Sequence, residues 1–253
     1  MTLGVALGVL LAWLMLTIGL GTLVSDGGHH SLGAEAAAGI GLPWLAAACF
    51  ALCVAWRAGP AATGLQWPSP AGAWRLAWLS AVYAALMLAF DVAQGLPAHE
   101  VLLVVAVNML LVAVSEELMF RGILFHALWG RYRLWPAIVL TSLAFGLVHT
   151  FNGFGTGRWD QAVMQSIAAF MQGFAYLAIR IRTRSVWPMV LVHAAWDYSL
   201  MLGVLAQPVT SGAATVWSAL PLLVVLPVFL YGLFLLRGIT SRLAAPDHGR
   251  AGP

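Results

Sequence analysis

Charge is scarce in this chain. Only 8% of its 253 residues are Asp, Glu, Lys or Arg, against about 25% in a typical soluble domain, while 62% are hydrophobic. So few charges cannot cover a water-soluble globule of this length. Lysine is absent. All twelve basic residues are arginines, scattered between apolar blocks rather than gathered into a phosphate-binding patch, so the net charge of +3 is no sign of a nucleic-acid partner. Cysteine is nearly absent too. Cys49 and Cys53 sit four apart in one apolar block, a spacing that suits neither a disulfide framework nor a zinc site, and they read as small packing residues. The first apolar block lacks both a basic flank and a small-residue cleavage site, and it is longer than a signal-peptide core. It is therefore expected to be retained as a helix.

The chain is rich in long apolar runs. Eight segments can cross a hydrocarbon core of about 30 Å: 3–24, 38–56, 74–91, 100–128, 135–151, 160–180, 186–204 and 214–236. Polar or Gly/Pro-rich punctuation separates them, as at 25–28, 59–72 and 152–155, and no fixed-period repeat is evident. The expected fold is all-α, a polytopic membrane protein of about eight transmembrane helices with an intramembrane active site. Residues 1–99 would supply helices 1–3, 100–204 a core of helices 4–7, and 205–253 helix 8 with a short tail from 239 onward. On this segmentation ten arginines (57, 75, 131, 133, 180, 182, 184, 237, 242 and 250) fall on the side of both termini. Arg158 alone falls on the other side, and Arg121 lies inside a span. The asymmetry predicts both termini in the cytoplasm. Tryptophans near proposed span ends fit an interfacial belt.

Ionisable residues inside spans demand an explanation, because each costs about 2.5–3.5 kcal/mol at mid-helix unless it is paired or functional. The fourth segment holds Glu116, Glu117 and Arg121. Glu117 and Arg121 stand i, i+4 with the acid first, the orientation that suits an ion pair, so they are expected to be structural. Glu116 points about 100° away and is left over. The fifth segment holds Phe145 and His149, and the seventh holds His193 and Asp197 one turn apart. Helix rise puts Glu116 and His149 roughly 22 Å from the arginine-bearing end, Asp197 roughly 20 Å and His193 roughly 14 Å, so the four can meet within the bilayer. Asn108, Ser115, Gln161, Gln165 and Gln172 form polar stripes that suit either a water-filled cavity or interhelical hydrogen bonds. Asp160 is a candidate helix N-cap, and His29, His30, His99 and His126 are expected at interfaces.

Peptide hydrolysis needs a base beside a water and donors where the oxyanion forms. Glu116 with His149 can serve the water; His193 and Asp197 can face the carbonyl oxygen or share a metal with the first pair. Other intramembrane protease signatures are missing: no His-Glu-x-x-His helix, no Gly-x-Ser-Gly and no Gly-x-Gly-Asp.

Three ordered motifs, Glu116-Glu117-x-x-x-Arg121, Phe145-x-x-x-His149 and His193-x-x-x-Asp197, resemble the signature of the type II CAAX prenyl endopeptidase and bacteriocin-processing family, also called CPBP or Abi intramembrane metalloproteases. The resemblance spans about residues 100–204. It implies an intramembrane peptidase acting on a peptide or lipid-modified protein in the bilayer, with location in a bacterial plasma membrane. It also implies that Glu116 and His149 activate water while His193 and Asp197 stabilise the oxyanion, with Phe145 in support. Metal use is disputed in that family, so a divalent ion such as Zn2+ held by Glu116, His149, His193 and Asp197 is an open alternative. One departure matters: the third motif commonly ends in Asn. An ionised Asp197 accepts hydrogen bonds only and repels an oxyanion, which favours protonation, metal ligation or fixing of the His193 tautomer. The rival functions are a non-catalytic immunity or scaffold protein of the same fold and a small-solute or ion transporter.

Overall fold

The structure, a computed structural model, describes residues 1–24, 28–206 and 220–239, and among them all regular structure is helical. Helix α1 (Leu3–Val24) is capped by Thr2, whose side chain accepts from the Val5 amide, and passes through a π-helical turn at Met15–Gly19. A short α2 (Leu32–Ala37) is capped in the same way by Ser31. Then follow α3 (Leu42–Ala58), α4 (Ala71–Gln94), α5 (His99–Arg131), α6 (Leu134–Thr156), α7 (Trp159–Thr183), α8 (Trp187–Ala206) and α9 (Leu220–Leu236). Breakers set the ends. Gly59 stops α3 at φ +106° and Gly157 stops α6 at φ +68°, backbone angles that favour glycine.

Six of these helices (α1 and α4 to α8) are long and apolar enough to cross a membrane, which makes the chain an integral membrane protein. The count of eight is not established, because the second and eighth expected spans are shorter apolar helices. At 17 residues, α3 lies at the lower limit for crossing of about 17. Its start moves from 38 to 42 for a physical reason. Asn108 of α5 clamps the preceding turn, donating to the carbonyls of Ala36 (2.9 Å) and Gly39 (2.7 Å) and accepting from the Gly41 amide (2.9 Å). The first part of the eighth expected span and the tail beyond 239 lie outside the described residues. Residues 152–155, expected as a loop, instead continue α6 as a last helical turn to Thr156.

Packing follows the small residues. α7 lies between α6 and α9, α8 packs on α4 and α5, and α3 packs on α5. A side chain at Gly146 of α6 would come within 2.8 Å of the Ser166 carbonyl on α7, and one at Gly232 of α9 within 2.5 Å of the Ala175 Cα. Such close approach substitutes for a hydrophobic drive that lipid does not supply. The arginine-bearing segments meet at one end of the bundle. Arg180 donates to the Ala62 carbonyl (3.0 Å), Arg182 to that of Leu235 (2.9 Å), and the Ser69 amide to that of Thr183 (3.0 Å).

Candidate active site

The motif residues of α5 sit where the helix changes form. The α-helical part ends at Glu116, and Glu117–Leu124 is π-helical with all eight residues buried. Short π segments inside α-helices recur at functional sites, because they displace side chains from the regular register. Glu117 meets Arg121 at 3.1 Å, with both side chains 0% exposed. The ion-pair geometry read from their spacing is therefore present.

Glu117 does more than neutralise Arg121. The same oxygen, Oε1, that faces Arg121 also lies 2.8 Å from His193 Nδ1 on α8, so Glu117 ties the two helices together. Its Oε2 has no hydrogen-bond partner among the described residues. A carboxylate only accepts, so the Nδ1 of His193 is the donor. The other nitrogen, Nε2, lies 3.3 Å from Asp197 Oδ2 and 3.7 Å from Glu116 Oε2. The imidazole is thus held between carboxylates on both sides.

Glu116 and Asp197 differ from Glu117 in exposure: 15% and 24% against none. His149 sits at the junction where α6 tightens into a 3-10 turn and is half-buried. Its Nδ1 lies 2.7 Å from the Phe145 carbonyl oxygen, which can only accept, so Nδ1 carries hydrogen and the Nε2 of the neutral ring carries the lone pair. Glu116 Oε2 and Asp197 Oδ2 both face His193 Nε2, and one ring, that of Phe145, contacts both His193 and His149. The structure therefore brings all four expected catalytic residues to one locus, with the ion pair beneath them.

Aromatic rings fix this locus. Phe145 lies edge-on to His149 (4.8 Å) and His193 (6.1 Å), and the Arg121 guanidinium carbon stands 3.8 Å over its ring. Tyr176 of α7, fully buried, also reaches the cluster, 5.8 Å from the His193 ring and 5.4 Å from the guanidinium carbon. Tyr176 was not among the expected site residues, because an aromatic in an apolar helix looks like packing. The one sequence signal was Gln172, one turn earlier on the same helix.

The polar stripes resolve into interhelical and local hydrogen bonds. Ser115 accepts from the Trp13 indole (2.6 Å), Gln165 accepts from Asn152 (2.8 Å), and Gln172 donates to the Tyr176 hydroxyl (2.9 Å). Gln161 is exposed. Asp160 is not an N-cap. The α7 helix begins one residue before it, and the carboxylate takes both arms of Arg158 at 3.1 and 3.0 Å, a pairing that raises the arginine's affinity for its proton. His99 is exposed beside Glu100, His29 lies 3.2 Å from the Gly155 carbonyl, and His126 is partly buried. Outside the spans, burial pushes the Glu35 carboxyl above its usual range against the pull of His30. Cys49 and Cys53 are free and exposed.

A zinc ion needs three or four nitrogen, oxygen or sulfur donors converging at about 2.0–2.3 Å. Among the described residues no group of three or more His, Cys, Asp or Glu is disposed to do this. His193 spends both nitrogens on carboxylates and His149 spends one on a carbonyl, so the four candidates do not fit a metal in this arrangement.

Residues 98–199 match the family model described as Rce1-like, type II CAAX prenyl endopeptidase. The match covers all three motifs and coincides with α5 to α8. No curated protein and no solved structure matches the chain.

Proposed function

We propose, on the match of residues 98–199 to the Rce1-like type II CAAX prenyl endopeptidase model, that the chain is an intramembrane endopeptidase in which Glu116 and His149 activate water. The observation that carries this reading is the unequal state of two adjacent glutamates. Glu117 is consumed by Arg121 and His193 in a sealed pocket, whereas Glu116 is partly open and has no cation to itself.

The chemistry follows from the atoms. The lone pair on His149 Nε2 and the Glu116 carboxylate hold a water by its two hydrogens. As the water oxygen attacks the peptide carbonyl carbon, Glu116 takes one proton. The carbonyl π bond becomes an oxyanion, and when the tetrahedral intermediate collapses Glu116 returns the proton to the departing amine. General-base assistance of this kind is worth about 10²–10⁴-fold. His193 stands beside Glu116, its Nε2 3.7 Å from Glu116 Oε2, and Glu117 fixes the ring through Nδ1. Asp197 stands at Nε2 and serves to hold the ring rather than to donate to the oxyanion. No step runs through a metal. The substrate is a peptide presented within the bilayer, and lipid-modified peptides suit a site enclosed by apolar helices.

The test uses detergent-purified wild type beside Glu116→Ala on a mixed peptide library, half of it isoprenylated on cysteine, read by mass spectrometry. Products from wild type alone are expected, and their enrichment in the isoprenylated half would assign the substrate class. Equal products from both proteins would remove Glu116 from the reaction. A chelator arm settles metal use: cleavage lost with chelator and restored by Zn2+ would bring an ion into the site.

A further inference from the structure

Tyr176 is a polar residue in a place where packing alone would accept phenylalanine. It is 0% exposed, and Gln172, itself 92% buried, donates to its hydroxyl oxygen at 2.9 Å. Gln172 thereby occupies the acceptor side of the phenol and turns the O–H hydrogen away from itself. The acids whose charge acts on this hydroxyl are Glu117 and Asp197, the same two that grip the His193 ring. Leaving a buried donor without purpose costs about 1–3 kcal/mol, so retention of the hydroxyl asks for a role.

The ring geometry points to one. Tyr176 and Phe145 approach the same two groups, standing 5.8 and 6.1 Å from the His193 ring and 5.4 and 3.8 Å from the Arg121 guanidinium carbon. Between those groups Glu117 Oε1 accepts from His193 at 2.8 Å and stands 3.1 Å from Arg121 as an ion-pair partner. His193 is thus held by ring contacts from two helices besides its carboxylate partners Glu117 and Asp197. We propose that Tyr176, oriented by Gln172, is a positioning residue for His193, so that α7, which supplies none of the motif residues, sets the imidazole through a Gln172–Tyr176 pair. This deepens the peptidase reading and rests on it for the catalytic consequence, while the effect on the ring itself stands apart from activity.

The experiment is therefore read twice, on full-length detergent-purified Tyr176→Phe, Gln172→Leu and the double variant. With 15N-labelled histidine and His193→Gln to assign the signal, both single variants are expected to shift the His193 ring nitrogens and the double to shift them no further. In the cleavage assay each single variant is expected to lose kcat at unchanged KM. The double is expected to lose no more than either single. A His193 signal unmoved by Tyr176→Phe would overturn the proposal, as would losses in the two single variants that multiply. Glu116→Gln, run alongside, reports on the base alone: retained cleavage there would remove Glu116 from the reaction, whereas the histidine signal would still decide the role of Tyr176.

Discussion

Glu116 and Glu117 are neighbours in the chain, and the bundle gives them opposite surroundings. Glu117 is sealed, 0% exposed, and shared between Arg121 and His193; above it Glu116, Asp197 and His149 are partly open. The closed side holds its charges by pairing them beneath the rings of Phe145 and Tyr176. The open side leaves two carboxylates facing the His193 ring, with His149 beside them. The difference teaches how an ionisable cluster persists in a membrane: one layer is neutralised and rigid, and it positions a second layer that stays available for chemistry.

The largest expected effect breaks the open side. Glu116→Gln should cut peptide cleavage by about 10²–10⁴-fold while the melting midpoint in detergent stays at the wild-type value. Activity and melting are measured on the same preparation. The closed side should respond in the opposite way. Arg121→Met leaves Glu117 as a buried, uncompensated charge and should destabilise by about 3–5 kcal/mol, whereas Glu117→Leu combined with Arg121→Met should recover much of that loss. Denaturant titration of the helical signal reads both.

Much of this division was legible in the sequence, and particular residues show why. The i, i+4 spacing of Glu117 and Arg121 and the matching depths of Glu116, His149, His193 and Asp197 follow from helix geometry alone, so the motifs could be brought together without coordinates. The link from Glu117 to His193 could not, because it depends on how α5 and α8 rotate about their axes and on the π-helical stretch that begins at Glu117. Tyr176 was hidden for the same reason: its partners lie on α5 and α8, not on α7. Asn108 and Ser115 suited either a cavity or interhelical hydrogen bonds, and the structure shows the second: they hold the turn before α3 and the α1 helix. Asp91 of α4 went unremarked, yet it is 6% exposed and lies against Gly203 of α8.

Smaller effects sharpen the comparison. Asn108→Ala removes three hydrogen bonds from the turn at 36–41, far from the open side in role, and should lower stability by about 1–3 kcal/mol. Its kcat should match wild type once folded fractions are equalised. The smallest effect concerns Glu35, outside the spans. Burial raises its folded-state pKa above 4.5, so the protonated form is the one that folding favours. Its contribution is fully present below the unfolded value and is lost as the pH rises through the folded one. Glu35→Gln should therefore melt slightly higher than wild type at neutral pH, and the two curves should merge in acid; a gap that widens in acid would contradict the burial argument.

The central claim, that adjacent glutamates divide chemistry from structure, is tested most directly by measuring kcat and melting midpoint together for Glu116→Gln and Glu117→Gln. The account predicts that Glu116→Gln melts like wild type and loses cleavage, and that Glu117→Gln melts lower because the buried Arg121 loses its counter-charge. Full activity in Glu116→Gln, or a Glu117→Gln protein as stable as wild type, would contradict it.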